Sequence, residues 1–158
     1  MIDFPSLPPR VGVIGAGTCS PDLSRVAREA GRLIARWGAI LVCGGLGGVM
    51  EAAAKGAREE GGFTVGILPS GNPATANPYI ILPVPTGMGH ARNVVVVQTS
   101  QVVIAIGGQA GTLSELAIAL KLGIPIIGFK TWDVDPRIRM ARSGEELALA
   151  IEKALKNL

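Results

Sequence analysis

Short apolar runs alternate with longer segments of helical periodicity along the whole chain. Residues 102–106 are all apolar and rich in β-branched side chains, and the run is broken by glycines at residues 107–108. Beyond this break, Leu113, Leu116 and Leu120 recur at the spacing of one helix face. The stretch therefore predicts a strand, a glycine turn and a helix, an arrangement that recurs along the chain.

The complete pattern predicts an α/β domain. Strands are expected at residues 11–14, 39–43, 63–68, 79–84, 102–106, 125–128 and 137–141. Helices are expected at residues 21–37, 49–60, 90–100, 112–120 and 143–158. The strands are continuous apolar runs, which is typical of strands that helices cover on both faces. We predict a single doubly wound, mostly parallel Rossmann-like sheet with helices on both faces, spanning residues 11–158 after a flexible, proline-rich tail of residues 1–10.

Three further segments carry sequence signals that affect the predicted structure. Residues 94–97 are all valine, which favours a strand within 90–100. We predict a helix there, because two parallel strands need a crossover of about a dozen residues between them. Pro83 cannot donate a ladder hydrogen bond, so its strand is expected near a sheet edge. Residues 69–78 are rich in Pro, Gly, Asn, Ser and Thr and are predicted to form a mobile lid or rim.

Three helix starts carry capping signals. Ser20 precedes Pro21, which suits the first helical position. Residues 112–115 (Thr-Leu-Ser-Glu) and 143–146 (Ser-Gly-Glu-Glu) both fit a capping box, in which the hydroxyl accepts an N–H group of the first turn and the glutamate reaches back. A glycine turn leads into the first of these boxes. Free N–H groups and the helix dipole favour an anion there, so we predict a phosphate-binding turn; a purely structural tight turn is the alternative.

Glycine turns follow several of the predicted strands, at residues 15–18, 44–48 and 107–111, and another at 86–89 opens a helix. In a parallel sheet, the carboxyl ends of the strands meet at one edge, where ligands bind. Arg92 lies near a helix start that does not need a cation, which favours a role in ligand binding. The predicted ligand- and phosphate-binding residues are Gly15, Gly17, Thr18, Gly44, Gly45, Gly47, Arg92, Asn93, Gly107, Gly108, Gln109, Ala110, Gly111 and Thr112.

The amino-acid composition limits the classes of binding partner that are expected. The chain has 158 residues, 48% hydrophobic and 17% charged, with a net charge of +3 and only 4% aromatic residues. So few aromatic residues argue against a stacking platform for single-stranded nucleic acid, and the mild positive charge suits a small anionic ligand. Cys19 and Cys43 are expected to be buried apolar groups rather than a disulfide framework, and the single histidine, His90, argues against a metal site. No signal peptide or membrane span is predicted, so a cytoplasmic protein is expected.

The motifs of several common binding and catalytic sites are incomplete or absent in this sequence. Ser20 stands where a dinucleotide fingerprint needs its third glycine, and no acid for a ribose follows the second strand. The chain has no P-loop motif and no G-x-S-x-G elbow. Its lysines offer no context for a Schiff base with pyridoxal phosphate.

Taken together, three motifs resemble a known family. They are GGLGGVM at residues 44–50, GHARN at 89–93 and GGQAGTLSE at 107–115. In this combination they resemble the LOG-like Rossmann superfamily over roughly residues 11–129. That superfamily includes cytokinin-activating phosphoribohydrolases long mislabelled lysine decarboxylases, molybdenum cofactor carrier proteins and, more distantly, the DNA-processing protein DprA.

Details of the motifs favour one branch. The phosphoribohydrolases carry P-G-G-x-G-T-x-x-E and an Arg-Lys pair. Here Ile106 replaces the proline, Asn93 follows Arg92, and one extra residue, Gln109 or Ala110, lengthens the turn. All three departures resemble the molybdenum cofactor carrier-like branch.

The resemblance leaves two functions open. The first is a binder of a phosphorylated small molecule, a nucleotide or a molybdopterin-type cofactor, with no resident cofactor or metal required. The alternative is a nucleoside 5′-monophosphate phosphoribohydrolase, in which Arg92 and Glu115 would be catalytic and Glu115 would stabilise an oxocarbenium-like transition state. A capping acid is the structural reading of Glu115. The family also implies a homodimer or larger homo-oligomer, here through the Ala and Val surfaces of the second and third helices, whereas nucleic acid and membrane partners are not expected.

Overall fold

The computed structural model describes residues 6–158; residues 1–5, half of the predicted flexible tail, lie outside the described part. The strands are β1 Arg10–Gly15, β2 Ile40–Cys43, β3 Thr64–Leu68, β4 Leu82–Pro85, β5 Val102–Ile106, β6 Ile126–Phe129 and β7 Ile138–Ala141. The helices are α1 Pro21–Arg36, α2 Val49–Glu59, α3 Arg92–Thr99, α4 Ala110–Leu122 and α5 Gly144–Leu155, and short 3₁₀ turns occur at Pro73–Thr75 and Gly89–Ala91.

The strands form one sheet in the order β4-β3-β2-β1-β5-β6-β7, and every neighbouring pair is parallel. The predicted doubly wound Rossmann-like sheet is therefore confirmed. The strand that contains Pro83 lies at the sheet edge, as predicted. The chain builds outward from β1 to β4 and then returns through α3 to β5, so the direction of winding reverses between β1 and β5. A crevice is expected at the carboxyl ends of these two strands.

Helices cover both faces of the sheet. One apolar cluster joins the sheet to α1, α2 and α5, and a second joins it to α3 and α4. All five residues of β5 are buried, which explains why this strand is a continuous apolar run. The valine-rich segment is a helix, as predicted: Val96 and Val97 face the core, whereas Val94 is 38% exposed.

Glycines allow α1 and α2 to pack at very short range. A Cβ atom on Gly31 would lie 1.9 Å from the Ala53 carbonyl oxygen, and one on Gly56 would lie 1.9 Å from the Arg28 carbonyl oxygen. The alanine face of α2 therefore packs inside the chain and is not available to a second copy, contrary to the interface predicted from the sequence. A homo-oligomer stays a prediction.

Two of the three predicted helix caps are confirmed. The Ser20 side chain accepts a hydrogen bond from the Leu23 N–H, and the Ser143 side chain accepts one from the Glu146 N–H. The predicted capping box at residues 112–115 is wrong. Helix α4 begins two residues earlier, at Ala110, so Thr112 lies inside the first turn, and Gln109 is an N-cap without a side-chain hydrogen bond.

The loop at residues 69–78 is tied to the glycine turn after β2. Asn77 is buried; its backbone N–H donates to the Gly45 carbonyl (2.8 Å) and its side chain donates to the Leu46 carbonyl (2.9 Å). The loop therefore forms a rim beside the carboxyl edge of the sheet. Among the residues described, no helix is long and apolar enough to cross a membrane.

Candidate functional site

A cleft of about 380 Å³ lies at the carboxyl ends of β1 and β5, where the winding reverses. Glycine turns form two of its walls and the start of α3 forms a third. Its volume falls in the range of about 300–1,000 Å³ typical of small-molecule sites. The lining residues are Val13, Ile14, Gly15, Ala16, Gly17, Thr18, Gly44, Met50, His90, Arg92, Asn93, Gln109, Gly111, Thr112 and Glu115.

Most of the predicted site residues meet in this cleft, although they come from four separate regions of the sequence. The predicted residues Gly45, Gly47, Gly107, Gly108 and Ala110 are not among those that line it. Sequence reasoning missed the apolar lining of Val13, Ile14, Ala16 and Met50, because nothing in an apolar residue distinguishes a cleft wall from a core position. His90 also lines the cleft; its place in the GHARN motif was the available signal.

Two glycines at the site are required by the packing of the side chains around them. A Cβ atom on Gly44 would lie 2.6 Å from Nη2 of Arg92, so this glycine makes room for the guanidinium. Gly45 has a φ of +74°, and its Cβ atom would lie 2.6 Å from Cδ2 of Leu68. A Gly45→Val substitution would therefore strain the fold rather than test ligand binding.

Arg92 is the main positive group of the cleft. Its side chain is only 8% exposed at the first residue of α3, and burial lowers its pKa. Nη2 donates to the Gly44 carbonyl (3.4 Å) and Nη1 donates to Oδ1 of Asn93. Nε is buried without a partner among the described residues, and no described carboxylate forms a salt bridge with this side chain. A buried guanidinium whose hydrogen-bond partners are neutral and whose Nε has no partner is suited to an anion.

Asn93 links the two helices that border the cleft. Its Nδ2 donates to Oγ of Ser114 (3.3 Å), and that hydroxyl donates to the Gly111 carbonyl (2.6 Å). Because Asn93 also accepts from Arg92, one chain of hydrogen bonds runs from the guanidinium to the first turn of α4. Asn93 therefore fixes Arg92 relative to the start of α4.

Glu115 lies one turn into α4 and is 7% exposed. Burial raises its pKa to about 7, while the positive charge of Arg92 acts in the opposite direction. Among the described residues, its carboxylate has no hydrogen-bonding side chain and no salt bridge. A carboxyl group that titrates near neutrality inside a cleft is typical of functional sites.

The start of α4 is open towards the cleft. Gly107 and Gly108 have φ values of +58° and +107°, which turn the chain sharply after β5. The first intrahelical bond runs from the Leu113 N–H to the Gln109 carbonyl (3.0 Å), so the N–H groups before it have no intrahelical acceptor. No side chain caps them. Together with the helix dipole they form an anion-binding arrangement beside Arg92.

Cys43 is buried, as the sequence predicted, whereas Cys19 is only partly buried. Cys43 is fully buried behind the cleft, and burial raises its pKa to about 11, so it stays a thiol. Cys19 is half-buried, and burial also raises its pKa. Within residues 6–158, no group of three or more His, Cys, Asp and Glu side chains could hold a metal ion.

Comparison with known proteins agrees with this geometry. A model of the SLOG cluster4 family matches residues 8–157. An uncharacterized protein of Archaeoglobus fulgidus is 46% identical over 137 residues, which cover 87% of this chain and 90% of that protein.

Two solved structures are similar over nearly their whole length. The molybdenum cofactor binding protein of Rippkaea orientalis has a TM-score of 0.87 and 37% identity, covering 94% of this chain and 98% of the other. The molybdenum cofactor carrier protein of Chlamydomonas reinhardtii has a TM-score of 0.84 and 31% identity, covering 95% and 99%. The predicted resemblance to the LOG-like superfamily and its carrier-like branch is confirmed. The comparisons support a Rossmann-like protein that binds a small molecule.

Proposed function

The chain belongs to the SLOG cluster4 family, and we propose that it binds a phosphorylated small molecule, either a nucleotide or a molybdopterin-type cofactor, with the phosphate at the start of α4. One observation carries the proposal. Arg92 is a buried cation with an unpartnered Nε, and it lines the same cleft as the uncapped first turn of α4. An anion would complement both features at once.

The remaining cleft residues suit a ligand with a polar body. Asn93, Gln109 and Thr112 supply amide and hydroxyl groups along one side, while Met50 and Ile14 supply an apolar wall. Such a mixture of a few directed polar groups and apolar surface is usual for nucleotide- or pterin-sized ligands. The two solved relatives, a molybdenum cofactor binding protein and a molybdenum cofactor carrier protein, support the second class. A molybdopterin-type ligand would be cargo held through its phosphate, not a group needed for folding.

A phosphoribohydrolase is the second candidate, because Arg92 and Glu115 face the same cleft and the pKa of Glu115 lies near 7. In that reaction, Arg92 would hold the phosphoribosyl group and Glu115 would stabilise the positive charge that develops as the N-glycosidic bond breaks. The sequence departures at Asn93 and in the lengthened turn favour binding. Asn93 holds the Arg92 guanidinium and the α4 turn in one fixed arrangement.

One pair of variants tests the binding proposal. Gly111 lines the cleft at the start of α4, and a Cβ atom there would meet nothing within 4 Å. Gly144 occupies the first position of α5, and a Cβ atom there would meet only Val26, at 3.8 Å. Neither glycine has a positive φ. Both positions therefore have room for the Cβ atom of a valine, but only Gly111→Val adds methyl groups to the cleft.

We expect calorimetry to detect AMP binding to the wild-type chain and to Gly144→Val, and no binding to Gly111→Val, with both variants folded. The same AMP samples are then analysed for free adenine by chromatography. Adenine release at catalytic turnover, abolished by Glu115→Gln while AMP still binds, would establish the hydrolase instead. Equal AMP affinity in Gly111→Val and the wild-type chain would refute the α4 site, and inorganic phosphate serves as a second probe of the anion position.

A further inference from the structure

The lengthened turn before α4 is held from outside by the loop that follows β6. Trp132 lies in that loop, and its Nε1 donates a hydrogen bond to the Gln109 carbonyl at 3.2 Å. The same carbonyl accepts from the Leu113 N–H at 3.0 Å, the first bond of α4. Gln109 is thus the N-cap of α4, although its side chain makes no capping bond. Its carbonyl accepts two hydrogen bonds, one from Trp132 and one from Leu113.

Fixing this carbonyl also fixes the N–H group that follows it. The peptide unit between Gln109 and Ala110 is planar and trans, so its C=O and N–H groups point in opposite directions. A bond that holds the Gln109 oxygen on the side of Trp132 keeps the Ala110 N–H directed away from it. That N–H has no intrahelical acceptor, and although Ala110 itself does not line the cleft, its neighbours Gln109 and Gly111 do. Rotation of this single peptide would replace a donor with a carbonyl oxygen, which repels an anion.

A strained corner places the indole there. Lys130, immediately after β6, has a φ of +49°, and it is the one non-glycine residue with positive φ in the described part of the chain. This conformation costs on the order of 1 kcal/mol for a residue with a side chain. Next to it, the Thr131 hydroxyl is buried without a hydrogen-bond partner. Both features lie in the two residues directly before Trp132, whose indole reaches Gln109.

We propose that Trp132 is a positioning residue of the anion site, which sets the orientation of the Gln109–Ala110 peptide and so aligns the first turn of α4 for a phosphate. The inference rests on the proposed function, since the aligned donor matters only if an anion binds there. It also accounts for the extra residue in the turn. A longer glycine turn has more freedom, and the indole restrains it by a contact from a neighbouring loop.

A second tryptophan in the chain provides a matched control for the substitution of Trp132. It has two tryptophans, and Trp37, at the end of α1, is 40% exposed, as is Trp132. Trp132→Phe keeps an aromatic ring but removes the donor, whereas Trp37→Phe makes the same chemical change away from the cleft. We expect amide hydrogen exchange of Leu113, measured by NMR, to be faster in Trp132→Phe and unchanged in Trp37→Phe. The thermal unfolding midpoints of both variants should lie close to each other.

Calorimetry with AMP and with inorganic phosphate then measures the consequence for the site. We expect Trp132→Phe to bind about fivefold more weakly than the wild-type chain, the effect of one neutral hydrogen bond, and Trp37→Phe to bind equally well. In the Trp37→Phe background, Trp132 is the sole indole, and its fluorescence should change on AMP addition. A merely structural tryptophan would lower stability without changing affinity at temperatures where the chain is folded.

The outcomes separate the two proposals. If the wild-type chain binds the probes and Trp132→Phe binds them equally, or if Leu113 exchange is the same in both variants, the role of Trp132 is refuted and the anion site stands. If the wild-type chain binds neither AMP nor phosphate, the proposed function fails and the positioning role fails with it. A larger loss of affinity than in Trp37→Phe, together with faster Leu113 exchange, supports both.

Discussion

The same sequence pattern occurs near the starts of helices α4 and α5, but it forms a helix cap only at α5. Residues 112–115 and 143–146 both have a hydroxyl residue followed three positions later by a glutamate. At α5 the pattern is a real cap: Ser143 accepts from the Glu146 N–H, and the Glu146 carboxylate accepts from the Arg142 N–H. At α4, Thr112 lies inside the helix and Glu115 is buried at the cleft.

The difference shows how a helix start is left available for a ligand. The α5 start satisfies one of its N–H groups with the Ser143 side chain and adds two acidic residues that complement the dipole. The α4 start has no acidic residue in its first turn, no side-chain cap and a buried arginine nearby. The α5 start therefore has its own cap, whereas we propose that an anion completes the α4 start. The following predictions test this contrast, from the largest expected effect to the smallest.

Removing the cation should distinguish the two helix starts most clearly. Arg92→Ala is expected to weaken AMP binding by about 10- to 150-fold, the value of a charge-assisted hydrogen bond, since the anion loses its only buried positive partner at α4. Arg142→Ala, next to the start of α5, keeps the backbone N–H that Glu146 uses and should not change AMP affinity. Calorimetry on both variants, with circular dichroism to confirm folding, makes the comparison. Equal affinities would mean that Arg92 does not contact the ligand.

The Glu115 carboxylate should make stability depend on pH. Burial raises its pKa from the ordinary 4.5 to about 7 in the folded chain, so between these values the folded state holds a proton that the unfolded state releases. Its contribution to stability therefore falls as the pH rises from about 4.5 to 7, by on the order of 2–3 kcal/mol. Glu115→Gln should remove this decline and be the more stable protein at pH 8. Urea unfolding at pH 5 and pH 8 measures this change in the free energy of unfolding for both proteins. If the free energies of variant and wild type changed in parallel with pH, the raised pKa of Glu115 would be contradicted.

Removing the cap at α5 should have a smaller effect, confined to stability. Ser143→Ala is expected to lower the free energy of unfolding by about 1 kcal/mol, because one N–H group at the start of α5 loses its acceptor. AMP affinity should not change, since the cleft contains no residue of α5. Urea unfolding and calorimetry on the same sample provide both values. A change in affinity would show that the two helix starts are coupled through α1.

Physical reasons separate the accurate sequence predictions from the inaccurate ones. The parallel sheet was predictable because buried strands need continuous apolar runs, and several of these runs were followed by a glycine turn. Ser20 and Ser143 were predictable because their capping bonds join residues three apart. The α4 cap was predicted wrongly because the residues that begin this helix, Gln109 and Ala110, have no capping chemistry of their own. The Gln109 carbonyl instead accepts a hydrogen bond from Trp132, more than twenty residues away.

The sequence by itself determined the fold class, the glycine turns and most of the residues that line the cleft. These follow from local rules: periodicity, turn chemistry and the fact that parallel strands end at a shared edge. The tertiary structure alone decided that Arg92 is buried beside Gly44 with an unpartnered Nε, that Asn93 bridges α3 to α4, and that Glu115 titrates near neutrality. Each of these depends on which distant groups surround a side chain, and desolvation and unpartnered charge are properties of that surrounding rather than of any short stretch of sequence.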